Sequence, residues 1–211
     1  MQKLASWILC SVAGAVWLAL AGCAGSGETV DLYLQALGPI PPKGSGETIL
    51  VMPFEDQRAE KQKVGMRTHV WGGVTYFDVP GGKAGDALAE VVADYLKKEG
   101  RQVSPGKGPA QAETSQKQPD VTLTGQIHEL SAHAKSRFGS TEITIKVRVA
   151  LRAMNAADRS TTKMTLEGAR TQTVFWFEPR DVQDLLNATL NESLQRLITD
   201  VKVEGRSWRI K

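Results

Sequence analysis

The clearest alternation of hydrophobic and polar residues lies in residues 142–153. Every second residue there is apolar, and these residues are Ile143, Ile145, Val147, Val149 and Leu151. Because successive side chains of a strand point to opposite faces, the pattern predicts a strand with one buried face. Residues 163–174 predict its antiparallel partner, after a turn at residues 155–160.

Three other segments predict further strands. Residues 48–54 are almost wholly apolar, which predicts a central strand buried on both faces. Residues 121–127 predict a strand that continues toward Leu130. A short alternation at residues 30–35 predicts a half-buried strand close to the amino terminus.

The apolar period changes to that of a helix in two places. In residues 85–99 and 179–201, apolar residues recur every three or four positions. Gly100 follows the first segment as a helix stop, and Pro179 suits the first turn of the second. We therefore predict an α+β fold, with a mixed, mostly antiparallel sheet and two main helices packed on one face.

The first 22 residues have the pattern of a bacterial secretory signal. Lys3 precedes the uncharged apolar run 4–20, which has about the length of a signal core and is short for a membrane span. The run ends in Leu20-Ala21-Gly22-Cys23, the lipobox pattern of bacterial lipoproteins. We expect cleavage before Cys23, acylation of its thiol by diacylglycerol, and a further chain such as palmitate on its amine. The alternative is an ordinary signal peptide that happens to contain a cysteine.

This interpretation divides the chain into four parts. They are a lipoprotein signal peptide at 1–22, the lipidated Cys23 with a tether and short strand at 23–46, a periplasmic α+β domain at 47–203, and a tail at 204–211. Ala24, rather than an aspartate, follows the cysteine, which favours anchoring in the outer membrane with the domain facing the periplasm.

Cysteine content and charge narrow the chemistry of the mature chain. The other cysteine, Cys10, lies in the signal, so neither a disulfide nor a cysteine metal site is expected. Once Lys3 is removed, 25 basic residues face 23 acidic ones, without a polybasic block. We expect no nucleic-acid partner.

Short motifs in the domain resemble a known family of lipoproteins. The lipobox is followed by the strand Val51-Met52-Pro53-Phe54, by Asp56-Gln57-Arg58, by a helix that stops at Gly100, and by Pro119–Gly125. This order resembles the YajG-like family of outer-membrane lipoproteins. More loosely, it is similar to the periplasmic α/β modules of CsgG, the amino-terminal domain of TolB and LpoB-type lipoproteins. The resemblance implies a non-enzymatic periplasmic module that binds envelope proteins, peptidoglycan machinery or an exported substrate.

The candidate catalytic and metal-binding residues do not form a familiar site. The histidines are His69, His128 and His133. The last two are five residues apart, so on a strand they would point to opposite faces and could not readily share a metal. A Gly-x-Ser-x-Gly elbow is absent, and Ala84 replaces the Ser or Thr of a P-loop. We expect no enzyme activity, catalytic residue, cofactor or metal.

Two segments are candidate interaction sites. Trp71, Tyr76 and Phe77 lie among glycines, a composition suited to a flexible loop that presents anchors to a partner. The alternative is a hairpin whose aromatic residues complete the core or cover a sheet edge. Asp56 and Arg58 are expected to hydrogen-bond the loop that leaves the sheet, and a binding pair is the alternative.

Together these features predict a tethered periplasmic module that binds the membrane through the Cys23 lipid and recognises another envelope protein. One alternative is an oligomeric accessory component of a transport or secretion assembly. A hydrolase without a recognisable motif is a third possibility.

Overall fold

The computed structural model describes residues 27–37, 46–106 and 118–211, which build one hydrophobic core between a nine-stranded sheet and two α-helices. In chain order the elements are β1 Thr29–Asp31, β2 Thr48–Val51, β3 Glu55–Asp56, β4 Gly65–Thr68, β5 Val74–Asp78, α1 Ala84–Lys98, β6 Gln102–Pro105, β7 Val121–Arg137, β8 Ser140–Asn155, β9 Thr161–Val174, α2 Pro179–Thr199, β10 Val201–Glu204 and β11 Ser207–Ile210. The predicted signal peptide, Cys23 and the glycine- and proline-rich linker 38–45 lie outside the described residues.

The long strand β7 organises the sheet. On one side it pairs antiparallel with β8 along its whole length, and β8 pairs in the same way with β9. Along its other edge β7 pairs in parallel with β2, β3 and β4 in turn. Strands β5 and β1 extend the sheet beyond β4, and β6 flanks β2. The predicted mixed, mostly antiparallel sheet with two helices is confirmed.

The two helices begin and end where the sequence predicts. The stripe of α1 is buried, and Gly100 takes a φ of +84° just after the helix, a conformation that glycine adopts without strain. Pro179 occupies the first turn of α2, where Glu178 and Asp181 form a capping box. Both helices cover the apolar face of the sheet, so the alternating strands and the helical stripes share one core.

The segment before the linker is held by side-chain amides of α2. Gln183, Asn187 and Asn191 lie one turn apart on the helix and hydrogen-bond the extended backbone of residues 33–37. Asn187, for example, accepts from the Gln35 N–H at 3.0 Å and donates to the Tyr33 carbonyl at 3.1 Å. The helix thus satisfies this backbone as a neighbouring strand would.

The carboxyl-terminal residues 204–211 are not a tail, as the sequence had suggested. β10 and β11 form a hairpin, and Trp208 on β11 is fully buried. The Trp208 backbone N–H donates to Asn155 Oδ1 at 2.8 Å, and its carbonyl accepts from Thr162 Oγ1 at 2.7 Å. These contacts join the end of the chain to the β8–β9 hairpin.

Candidate functional site

A β-bulge at His128 changes the direction of the side chains of β7. Ile127 pairs with Val149, and Glu129 is the next residue in the ladder, so His128 is the extra residue. Odd-numbered residues face the core up to Ile127, whereas even-numbered residues do so from Leu130 onward. Bulges of this kind commonly lie beside functional sites, because they redirect side chains.

The bulge places His128 and His133 in the lining of the same cavity. The expectation that they point to opposite faces is therefore wrong, because it assumed a regular strand. Five residues of strand still separate them by about 16 Å. In the part of the chain that the structure describes, no three His, Cys, Asp or Glu side chains are grouped to hold a metal ion.

The cavity is an open cleft of about 630 Å³. It lies between residues 58–66, Tyr76 of β5, and residues 128–133 of β7. Val64 and Leu130 supply apolar lining. The charged lining residues are Arg58, Glu60, Lys63, Glu129 and Arg148. Both signs of charge thus surround an apolar floor.

Arg58 holds one wall of the cleft in place. Its side chain is only 5% exposed and forms a two-point ion pair with Asp56, with Nε–Oδ1 at 2.9 Å and Nη2–Oδ2 at 2.8 Å. Nη1 donates to the carbonyl oxygens of Lys63 at 3.1 Å and Leu130 at 3.3 Å. Among the described strands, none pairs with β7 between β3 and β4 on this edge, and Arg58 fills that gap. The predicted structural role of Asp56 and Arg58 is confirmed.

The charge of Asp56 is maintained by its partner. Burial raises the pKa of this carboxyl group, but hydrogen bonds from the Arg58 side chain and backbone and the Arg58 positive charge outweigh that effect. The pKa of Asp56 therefore lies below its ordinary value, and the ion pair persists at neutral pH.

The three aromatic residues of the predicted loop occupy three different environments. The segment forms the β4–β5 hairpin, in which Trp71 at the turn is 92% exposed. Tyr76 is half-buried in the cleft, with Lys63 Nζ 2.9 Å from its ring centroid. Phe77 is 0% exposed in the core. The hypothesis that Phe77 contacts a partner is therefore wrong, because its side chain completes the core.

Several cleft residues escaped the sequence analysis. Lys63 and Met66 lie at the start of β4, and only the folded sheet brings them to the same cleft as Arg148 of β8. The apolar residues of β7 did carry a signal, because their spacing changes phase between Ile127 and Leu130. A phase change within one strand indicates a bulge.

The residue types of a hydrolase are present in the cleft without the matching contacts. Ser131 and His133 both line it, two positions apart on β7. In the described residues no hydrogen bond joins Ser131 Oγ to His133 or to His128, whereas nucleophilic catalysis requires a base within such reach.

Of the helices in the described residues, none is both long enough and apolar enough to cross a membrane.

Comparison with known proteins finds similarity in structure only. No protein-family model matches the chain, and no curated protein matches it in sequence. The chain is similar to protein XCC0632 of the DUF330 family from Xanthomonas campestris, with 11% identity over 81% of this chain and 92% of that chain, at a TM-score of 0.51. An uncharacterised protein is 7% identical over 83% of this chain and 98% of that chain, at a TM-score of 0.48. A PelC dodecamer from Paraburkholderia phytofirmans is 14% identical over 74% of this chain and 91% of that chain, at a TM-score of 0.42. The chain therefore shares the fold of XCC0632.

Proposed function

We propose that this chain is a lipoprotein of the bacterial cell envelope that binds another envelope protein without catalysing a reaction. Acylated Cys23 anchors it in the outer membrane, with the domain in the periplasm. The lipobox at residues 20–23, and Ala24 in place of an aspartate, support this address. Two or more acyl chains are enough for stable anchoring.

The cleft at the His128 bulge carries the proposal that the domain binds a protein. Arg58 holds the wall of the cleft in place before a partner binds, so few residues of the cleft need to become ordered on binding. Tyr76 and Met66 offer apolar contact area, and Lys63 and Glu129 offer charges of both signs. This combination suits a partner segment that carries an apolar anchor between charged residues.

Site-specific photocrosslinking tests this assignment in whole envelopes. A photoreactive amino acid replaces Met66, which lines the cleft and is 40% exposed, or Met154, which is 53% exposed on β8 and does not line it. We expect one envelope protein, identified by mass spectrometry, to be captured from position 66 and not from position 154. Equal capture at both positions, or capture at neither, would contradict the proposal.

A variant of Tyr76 tests whether the captured protein uses the cleft. Tyr76→Ala should weaken binding of the purified partner by about 2 kcal/mol, roughly 30-fold, as expected for an aromatic anchor. Phe77→Ala is unsuitable for this purpose, because Phe77 is in the core and its loss would unfold part of the domain. Unchanged affinity of Tyr76→Ala would place the contact elsewhere.

A second candidate function is that of a subunit in an oligomeric transport or secretion assembly. The observation in its favour is the edge strand β9, whose residues 169–173 are exposed on both faces and pair only with β8 in the described sheet. A free strand edge can pair with another copy of the chain. Light scattering of the purified lipoprotein decides between the candidates, because an adaptor should be monomeric and an assembly subunit should not.

A further inference from the structure

Four segments that are distant in sequence meet at one end of the sheet. They are residues 27–28 before β1, the β4–β5 turn at 69–73, the β7–β8 turn at 138–139, and residues 175–177 after β9. They meet because β4, β7 and β9 run toward this end, whereas β1, β5 and β8 start from it. We refer to these four segments as the tether end. Six neighbouring strands about 4.8 Å apart make this end roughly 24 Å wide.

Contacts across the tether end connect its parts. The Arg67 guanidinium carbon of β4 lies 3.9 Å from the centroid of the Phe177 ring. Arg67 Nε donates to Ser136 Oγ of β7 at 2.9 Å, and Ser136 Oγ lies 3.0 Å from Thr141 Oγ1 of β8. The segment after β9 therefore folds back over β4, and these contacts join the ends of β4 and β7 and the start of β8, which carry the turns.

The most exposed aromatic residues all lie on this surface. Trp71 is 92% exposed, Phe138 94%, Phe175 82% and Trp176 90%. Among the other Phe, Trp and Tyr residues that the structure describes, the most exposed is Tyr33, at 56%. Large apolar side chains grouped in this way on a water-facing surface mark an interaction site.

The tether leads directly into the same surface. Gly27 packs so closely against β5 that a Cβ atom there would lie 2.5 Å from the Tyr76 ring and 3.0 Å from the Val74 carbonyl oxygen. Only four residue steps separate Cys23 from Gly27, a reach of about 14 Å at full extension. Acyl chains on Cys23 would therefore hold the tether end close to the lipid headgroups.

We propose that the tether end docks on the bilayer surface, with Trp71, Phe138, Phe175 and Trp176 inserted at the boundary between headgroups and acyl chains. The proposal rests on the acylation of Cys23 put forward above. Tryptophan suits this depth because its ring is largely apolar and its N–H can bond to headgroups and water. The lipid anchor and the aromatic residues then act together, and the domain stands on the membrane in one orientation.

The charges around the tether end indicate that insertion, rather than charge attraction, drives docking. Lys135 and Arg137 precede Phe138, whereas Glu28 and Glu178 lie beside the tether and Phe177. The mixture of signs gives little net attraction to anionic lipids. His133 of the cleft lies five residues before Phe138 on β7, about 16 Å along the strand. Docking thus leaves the cleft open to the periplasm, next to the membrane.

Tryptophan fluorescence tests the docking. Because Trp7 and Trp17 lie in the signal, the mature chain contains Trp71, Trp176 and Trp208, and Trp208 is fully buried. The full lipidated protein is reconstituted in vesicles of phosphatidylethanolamine and phosphatidylglycerol, with or without phosphatidylcholine brominated on its acyl chains. We expect brominated lipid to quench the wild-type emission. The double variant Trp71→Phe, Trp176→Phe retains only Trp208 and should lose that quenching.

Flotation of the vesicles separates a failure of docking from a failure of anchoring. Protein that does not float with the vesicles lacks a working lipid anchor, which overturns the anchor and the docking together. Protein that floats, yet is quenched no more than the Trp208-only variant, overturns docking alone and leaves the exposed aromatic residues for a protein partner. A near-ultraviolet circular dichroism signal from the buried Trp208 confirms that the variant is folded.

Discussion

The described residues place tryptophan in opposite environments at the two ends of the sheet. At the tether end, Trp71 in the β4–β5 turn is 92% exposed, and Trp176 between β9 and α2 is 90% exposed. At the other end, Trp208 is fully buried, and both its backbone and its ring nitrogen are hydrogen-bonded. The contrast shows that neighbouring groups, rather than residue type, decide whether these rings contribute to stability or remain available for binding.

The buried end also contains an ionic cluster that the tether end lacks in the described residues. Arg101 lies between two carboxylates: it donates to Glu47, and its Nε is 3.1 Å from Glu99 Oε2. The Trp208 indole N–H donates to Glu47 Oε1 at 3.3 Å, and the Arg101 guanidinium carbon lies 5.2 Å from the Trp208 ring. The cluster joins the starts of β2 and β6 to the carboxyl terminus. We therefore expect the buried end to determine stability and the tether end to determine attachment.

The largest difference between the two ends should come from truncating their tryptophans. Trp208→Ala should lower the free energy of unfolding by about 3–5 kcal/mol, because it removes a fully buried ring. Trp176→Ala should change it by no more than about 0.5 kcal/mol, because its ring is in water. Urea denaturation of both variants measures the difference. Similar losses for the two variants would contradict the comparison.

Breaking the ionic cluster should cost a comparable amount. Arg101→Met removes the guanidinium that contacts both buried carboxylates, Glu47 and Glu99, and we expect a loss of about 3–5 kcal/mol in the free energy of unfolding. The matched control is Arg148→Met, since Arg148 pairs with Glu167 on the surface at 3.1 Å, and this exposed pair should contribute at most about 1 kcal/mol. A loss from Arg101→Met no larger than that of the control would show that the cluster is not required for stability.

The ion pair of Asp56 with Arg58, between the two ends, should make stability depend on pH. The folded-state pKa of Asp56 is lowered, so its contribution is present above the unfolded pKa near 3.8 and is lost as pH falls through the folded-state value. Asp56→Asn should therefore lose about 1.5–3 kcal/mol at pH 7. The difference from wild type should shrink below about pH 3.8, as followed by urea denaturation at several pH values. A difference that stays constant down to pH 2 would contradict the role of the carboxylate.

The smallest effect should come from the amide contacts that hold the chain after β1, where it leads away from the tether end. Asn187→Ala removes the acceptor of the Gln35 N–H and one of the two side-chain amides that donate to the Tyr33 carbonyl, so Gln183 remains as the other. We expect the free energy of opening this segment to fall by about 1–2 kcal/mol. Hydrogen exchange should speed up in residues 32–37 before it does in β7 and β8. The exposed Gln195→Ala on the same helix is the control. Uniform acceleration over the whole domain would mean that the segment does not open on its own.

The residue pattern predicted the elements with one buried face. The strands at 142–153 and 163–174 and both helices lie close to their predicted bounds, because alternation and helical stripes depend only on which side meets the core. The strand β6 at Gln102–Pro105 was not predicted, since three of its four residues are exposed and it therefore lacks the apolar alternation of a buried face. The candidate site was predicted less well: Tyr76 lines the cleft, Phe77 is buried, and Trp71 lies at the far turn.

By itself, the sequence determined the α+β class, the two helices, the long hairpin of β8 and β9, and the lipobox that predicts anchoring at Cys23. Each of these is a local pattern, either a period of apolar residues or a short motif. Only the tertiary structure decided that residues 58–66, Tyr76 and β7 line one cleft, that Trp208 is buried, and that four exposed aromatic residues share the tether end. These features depend on strand register and direction, which join residues far apart in the chain and leave no continuous pattern in it.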